Sequence, residues 1–181
     1  MPEPDQVLDF WFAEGRDKQW FDGGPAFDAA VKAALGPAFE AARSGTLETW
    51  RDTARGCLAL CILFDQYPRN VFRGTPEAFA WDGAALEVTR HALAQGFDAA
   101  LTQTERLFLY LPLEHSESLT DQKDCLRLVA ALDENPEWLD YAAAHHDIID
   151  RFGRFPHRND VLGRPTTDEE HAFLKEPGSS F

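Results

Sequence analysis

Arginine, histidine and carboxylate side chains crowd into three short stretches of this 181-residue chain. Residues 65–75 read DQYPRNVFRGT, residues 111–118 read LPLEHSES, and residues 151–167 read RFGRFPHRNDVLGRPTT. The chain has 13 Arg against 4 Lys; Arg69 and Arg73 fall in the first stretch, and Arg151, Arg154, Arg158 and Arg164 in the third. A guanidinium is a planar fork that matches a carboxylate or a phosphate. The chemistry these residues suggest is capture of a small anionic or polar ligand, with Arg69, Arg73, Arg154 and Arg158 as clamps. His115 and His157 would donate hydrogen bonds or move protons, and Glu114 is a third candidate for acid–base work. Asp65, Glu114 and Glu117 would orient the cations, and Asn70 and Asn159, each directly after an Arg, complete the candidate ligand set.

A structural explanation competes with this one, because ion-pair networks that tie helix ends together produce the same clusters. Asp65 falls in the last turn of an expected helix, where the negative dipole end calls for a cation. That marks Arg69 for a structural pair and leaves Arg158, beside His157, for a ligand. Tyr67-Pro68-Arg69-Asn70 also echoes Phe155-Pro156-His157-Arg158-Asn159. A repeated helix-stop device accounts for the Pro and Asn, but less well for the Arg and His.

Other chemistries find little support. No His-x-x-x-His, Cys-x-x-Cys or Glu-x-x-His pair is present, so no metal site is expected. Adjacent His145 and His146 would point about 100° apart on a helix, and His145 reads as a core histidine. Ser116 lacks the Gly-x-Ser-x-Gly setting of a nucleophile elbow. The Walker and Gly-x-Gly-x-x-Gly phosphate loops are absent, and no cofactor is implied. Cys57 and Cys61 share an apolar helix face, and Trp11-Phe12 and Trp20-Phe21 read as core aromatics.

The elements that must position these residues are helices. Val7, Phe10 and Trp11 are spaced for a helix face, Pro25 opens a second helix, and a third covers about 53–66, ending at Tyr67 because Pro68 follows. Pro76 starts another that ends near Gly96, and Pro112 should kink or end the helix begun near 102. Trp138, Tyr141, His145, Ile148 and Phe152 share one face of the most regular helix, which Gly153 stops. Thr166 and Thr167, each followed three residues later by Glu, signal a capping box. No segment alternates with period two. The expectation is an all-α single domain over residues 1–175, built of about eight helices in antiparallel pairs, with 176–181 as a frayed tail.

Composition narrows the partners. The net charge of −14 argues against nucleic acid, whose phosphates select basic surfaces. The longest apolar run, CLALCILF at 57–64, is far short of the roughly 20 residues of a membrane helix. Three Cys, an odd number, do not make a disulfide framework, and the acidic start is unlike a secretory signal. A cytoplasmic protein is expected.

The three polar stretches together, with LDFWF at 8–12 and EEHAFL at 169–174, closely resemble the bacterial "domain of unknown function 924" family. The resemblance implies an all-helical, tetratricopeptide-like array of stacked helix pairs; it implies no particular reaction. Such a shape makes a protein- or peptide-binding scaffold the alternative to a small-ligand site. A closed pocket between the motifs would favour the ligand, and an open groove the scaffold.

Overall fold

The computed structural model describes residues 1–181 and contains helices, turns and no strand. The helices are α1 (Pro4–Trp11), α2 (Gly24–Arg43), α3 (Ala54–Cys61), α4 (Tyr67–Val71), α5 (Asp82–Ala94), α6 (Gln103–Glu114), α7 (Leu119–Val129), α8 (Glu137–Phe152), α9 (Asn159–Leu162) and α10 (Asp168–Phe173). The all-α expectation is met.

Local chemistry sets several of the boundaries. Thr102 accepts the Glu105 N–H at 3.3 Å while the Glu105 carboxylate accepts the Thr102 N–H at 2.9 Å, a reciprocal cap on α6. Thr167 and Glu170 repeat the device on α10. Gly153 adopts φ +70° and ends α8. Pro25 lies at the start of α2 as expected.

Two expected proline breaks are corrected. α6 passes through Pro112 to end at Glu114. The third helix does not stop at Tyr67 either. Residues Ile62–Gln66 form a π-helical turn, in which the Tyr67 N–H bonds to Ile62 O, five residues back, and α4 continues through Pro68. A widened turn shifts the carbonyls that a proline ring would otherwise strike. Pro76 opens only a 3₁₀ turn, Pro76–Ala78, and α5 begins later, at Asp82.

CLALCILF is buried on every side, which explains why it lacks a polar face. Around it Trp11, Phe27 and Phe108 meet at ring distances of 5.7–5.9 Å, and Phe39 stacks on Tyr67 at 4.4 Å. A smaller cluster of Ile148, Ile149 and Phe155 forms around α8, with Phe152 and Phe173 against it. The three polar stretches meet near these two cores.

Candidate functional site

The π-helical turn carries Asp65 into the interior, where it is 1% exposed. A buried carboxylate requires partners, and Asp65 has three: His115 Nδ1 at 2.7 Å, an Arg69 Nη1 at 3.0 Å and Gln66 Nε2 at 2.6 Å. Burial raises its pKa, but Arg69 and His115 outweigh burial and hold it well below the usual carboxylate range. Single-turn π-bulges inside α-helices are frequent at functional sites.

From Asp65 the network closes into a ring. Arg69 grips Asp82 through two bonds of 2.7 and 3.0 Å. Asp82 also receives an Arg158 Nη1 at 3.4 Å, and the Arg158 Nη2 donates to the backbone carbonyl of His115 at 3.0 Å. His115 returns to Asp65. Arg158 lies between the Phe155 and Phe79 rings, 4.5 and 4.7 Å from their centroids, which holds its guanidinium. Its Nε is buried with no hydrogen-bond partner. Burial, then the neighbouring Arg69 cation, pulls Arg158 down to about 10.

His115 has an assigned face. Asp65, ionised, can only accept, so His115 Nδ1 carries the proton and its Nε2 keeps the lone pair. Burial, then Arg69, lowers the pKa of His115, favouring the neutral ring. His115, Ser116, Glu117, Asp82, Phe79 and Arg158 border a cleft of about 330 Å³.

Behind His115 lies a second pair. His145 bonds the Tyr141 carbonyl through Nδ1 at 2.8 Å, and Glu114 Oε1 lies 3.4 Å from the same nitrogen. Burial, then Asp65, pushes Glu114 up to about 8, and burial, then His115, pulls His145 down to about 3. Both shifts favour the uncharged forms. Phe181, in the segment expected to fray, stacks on His145 with ring centres 3.7 Å apart, and Ser179 is buried.

The other expected site residues divide. Glu117 accepts the Phe155 N–H at 2.8 Å and two bonds from Arg164 at 2.7 and 2.9 Å, so it ties the second stretch to the third. Arg154 holds Glu170 at 2.7 and 2.8 Å, and Asn159 donates to the same carboxylate at 3.2 Å. His157 borders Phe155, and its buried Nδ1 has no partner. Arg73 pairs with Asp28 on the surface, and Asn70 donates to Gln66 O at the end of the π-helical turn. Of the expected site residues, His115, Glu117 and Arg158 line the cleft and the others do not.

Sequence reasoning did not place Asp82, Phe79, Phe155 or Arg164 in the site. Asp82 opens α5, where an acidic residue is ordinary. The only hint of it was an excess of clustered Arg over nearby carboxylates. Of the two key arginines Arg158 is the more buried, its side chain 7% exposed against 18% for Arg69. The difference between them is in pairing, since Arg69 has two strong carboxylate contacts and Arg158 one long one.

No curated protein matches the chain. A solved structure does: the protein of unknown function ATU0120 from Agrobacterium tumefaciens, with 40% sequence identity over 95% of this chain and 96% of that one and a TM-score of 0.89. The family model described as "Bacterial protein of unknown function (DUF924)" matches residues 7–178, nearly the whole length. With the fold and the three polar stretches in place, the chain belongs to the bacterial DUF924 family.

Proposed function

We propose that the cleft beside Arg158 and His115 binds a small anionic or polar ligand. The observation that carries this reading is the buried Arg158 Nε, which lacks an acceptor on a residue that borders the cleft. A buried charged group with an unmet donor is costly; this Nε is closed to solvent, so a ligand oxygen relieves it once the guanidinium turns toward the cleft. The other proposed clamps have their forks filled: Arg69 by Asp82, Arg154 by Glu170 and Arg73 by Asp28. Arg158 is the clamp with capacity to spare.

His115 adds a neutral nitrogen base oriented by Asp65, suited to accept a proton from a bound hydroxyl or acid. The second and third polar stretches share the cleft wall, through His115, Ser116, Glu117 and Arg158, which supports a small ligand; the cleft is open rather than enclosed, which keeps a peptide scaffold as the second reading. The consecutive packing of α5 on α6, α6 on α7 and α7 on α8 supports a tetratricopeptide-like array, and three free, buried cysteines support a reducing cytoplasmic setting. The net charge of −14 supports a partner other than nucleic acid.

The test is thermal unfolding with and without millimolar phosphate, citrate or acetate. A ligand at 100 times its Kd adds about 2.7 kcal/mol, which raises the midpoint of a chain this size by roughly 5–10 °C. No shift with any of these anions or with a broader panel of polar metabolites would contradict the reading.

A further inference from the structure

Three donor groups converge where α6 ends. Glu114 is the last residue of α6, His115 is its C-cap, and His145 projects from α8. One donor atom of each lies within 4.8 Å of those of the other two. The sequence hides this set, because its members do not follow any helical chelate spacing: two are adjacent and the third is on another helix.

Both imidazoles are already oriented. Asp65 takes the Nδ1–H of His115 at 2.7 Å, and the Tyr141 carbonyl takes that of His145 at 2.8 Å. His115 thus keeps Nε2 as its lone-pair nitrogen, the orientation that metal-ligating histidines receive from a carboxylate on the opposite ring nitrogen. On His145 the nitrogen facing the carboxylate is Nδ1, 3.4 Å from Glu114 Oε1, so His145 ligates by releasing its bond to Tyr141 or by a turn of the ring that brings Nε2 round. The turn is pinned as well: the fully buried Gln122 donates to Glu114 O at 2.6 Å and Ser116 O at 2.8 Å.

We propose that Glu114, His115 and His145 hold a divalent transition-metal ion of the zinc class, through two imidazole nitrogens and one carboxylate oxygen. Two nitrogens and an oxygen suit Zn²⁺ and Co²⁺ better than Mg²⁺ or Ca²⁺. Bonds of about 2.0–2.1 Å place tetrahedral donors about 3.3 Å apart, so binding draws the three groups inward. Three protein ligands leave a coordination position for water or a ligand atom. His115 also borders the cleft, so that position is open to its contents; with the metal bound, the His115 lone pair is spent on the ion and no longer serves as a base, and the metal site stands without the anion reading.

The experiment uses tag-free protein, stripped with a chelator and exchanged into metal-free buffer without phosphate or carboxylates. Zn²⁺ is titrated by calorimetry, and Co²⁺ is followed by its visible absorption. The expected result is one equivalent of Zn²⁺ bound with a micromolar or tighter Kd in the presence of millimolar Mg²⁺. Glu114→Gln and His145→Gln should each weaken it at least tenfold, while His146→Gln, on a half-buried neighbour outside the donor set, should bind as wild type does. Glu114→Gln keeps the size of the side chain, and circular dichroism checks the fold of each variant. In the wild type, the His115 and His145 imidazole resonances should shift with Zn²⁺, a readout that needs no variant. Absence of one-equivalent binding, imidazole resonances that stay in place, or folded Glu114→Gln and His145→Gln variants that bind normally would overturn the proposal. Failure here with an intact anion-induced rise in midpoint would leave the cleft reading standing.

Discussion

His115 and Asp65, fifty positions apart in the chain, are joined by a 2.7 Å bond between Nδ1 and Oδ1. The bond fastens the end of α6 to the π-helical turn and fixes which nitrogen of His115 faces away. Asp65→Asn replaces the ionised acceptor by an amide and leaves Arg69 with one carboxylate fewer. Breaking a buried pair in this way costs about 3–5 kcal/mol. Urea unfolding should show a lower midpoint with an unchanged slope, and nitrogen NMR should show His115 losing its single Nδ1-protonated form. An unaltered tautomer would mean that Asp65 does not set it.

Arg69 and Arg73 lie four residues apart and should behave differently. Arg69→Ala strands the buried Asp65 and half-buried Asp82, so a loss of about 3–5 kcal/mol is expected. Arg73 is 62% exposed and pairs with Asp28 at the surface. Its replacement by Ala should cost less than about 1 kcal/mol. Paired denaturant curves measure both, and similar losses would show that the ring is not the stabilising unit.

His157 should make the fold sensitive to mild acid. Burial, then the Arg158 cation, lowers its pKa from 6.5 to about 4, against a partial pull from Glu117. Between those values the unfolded chain takes up the proton and the folded one does not, so stability falls as pH drops from 6.5 towards 4. The full effect is about 3 kcal/mol. His145 and His115, also held below the usual imidazole range, destabilise the fold over the same window, so His157→Gln should make the profile shallower without removing its slope; an unchanged slope would refute the assignment.

Glu170 acts at lower pH. Its bidentate bond from Arg154 outweighs burial and holds it down to about 2, from 4.5. The folded state here binds the proton less readily than the unfolded state. The contribution is therefore complete above pH 4.5 and disappears as pH falls through about 2. Glu170→Gln should be less stable at pH 7 and should approach wild type near pH 2. A constant difference across this range would contradict the argument.

Much of this was legible because helical chemistry is local. The stripe from Trp138 to Phe152, the stop at Gly153 and the Thr167–Glu170 cap depend on residues within a few positions of one another. The polar stretches announced a network because Arg and carboxylates are seldom buried without partners. The π-helical turn was hidden because CLALCILF is apolar throughout, and a run with no polar face cannot report a change of phase. Pro68 then looked like a stop, when the wider turn had made room for it. Asp82 was hidden because its partners, Arg69 and Arg158, are set by tertiary folding. His145 was placed correctly on its buried stripe, but periodicity names the face and not what the face meets.

The central claim is that Arg158 Nε is the donor awaiting a ligand. The direct measurement is its Nε–H signal in an arginine-selective nitrogen–proton NMR spectrum, assigned by its absence in Arg158→Lys, during titration with phosphate and citrate. The account predicts that this one signal moves downfield and saturates with the anion, while the signal of Arg69, whose guanidinium Asp82 grips through both Nη groups, holds its place. An Arg158 signal that stays fixed while anion raises the melting midpoint would place the ligand elsewhere and contradict the account.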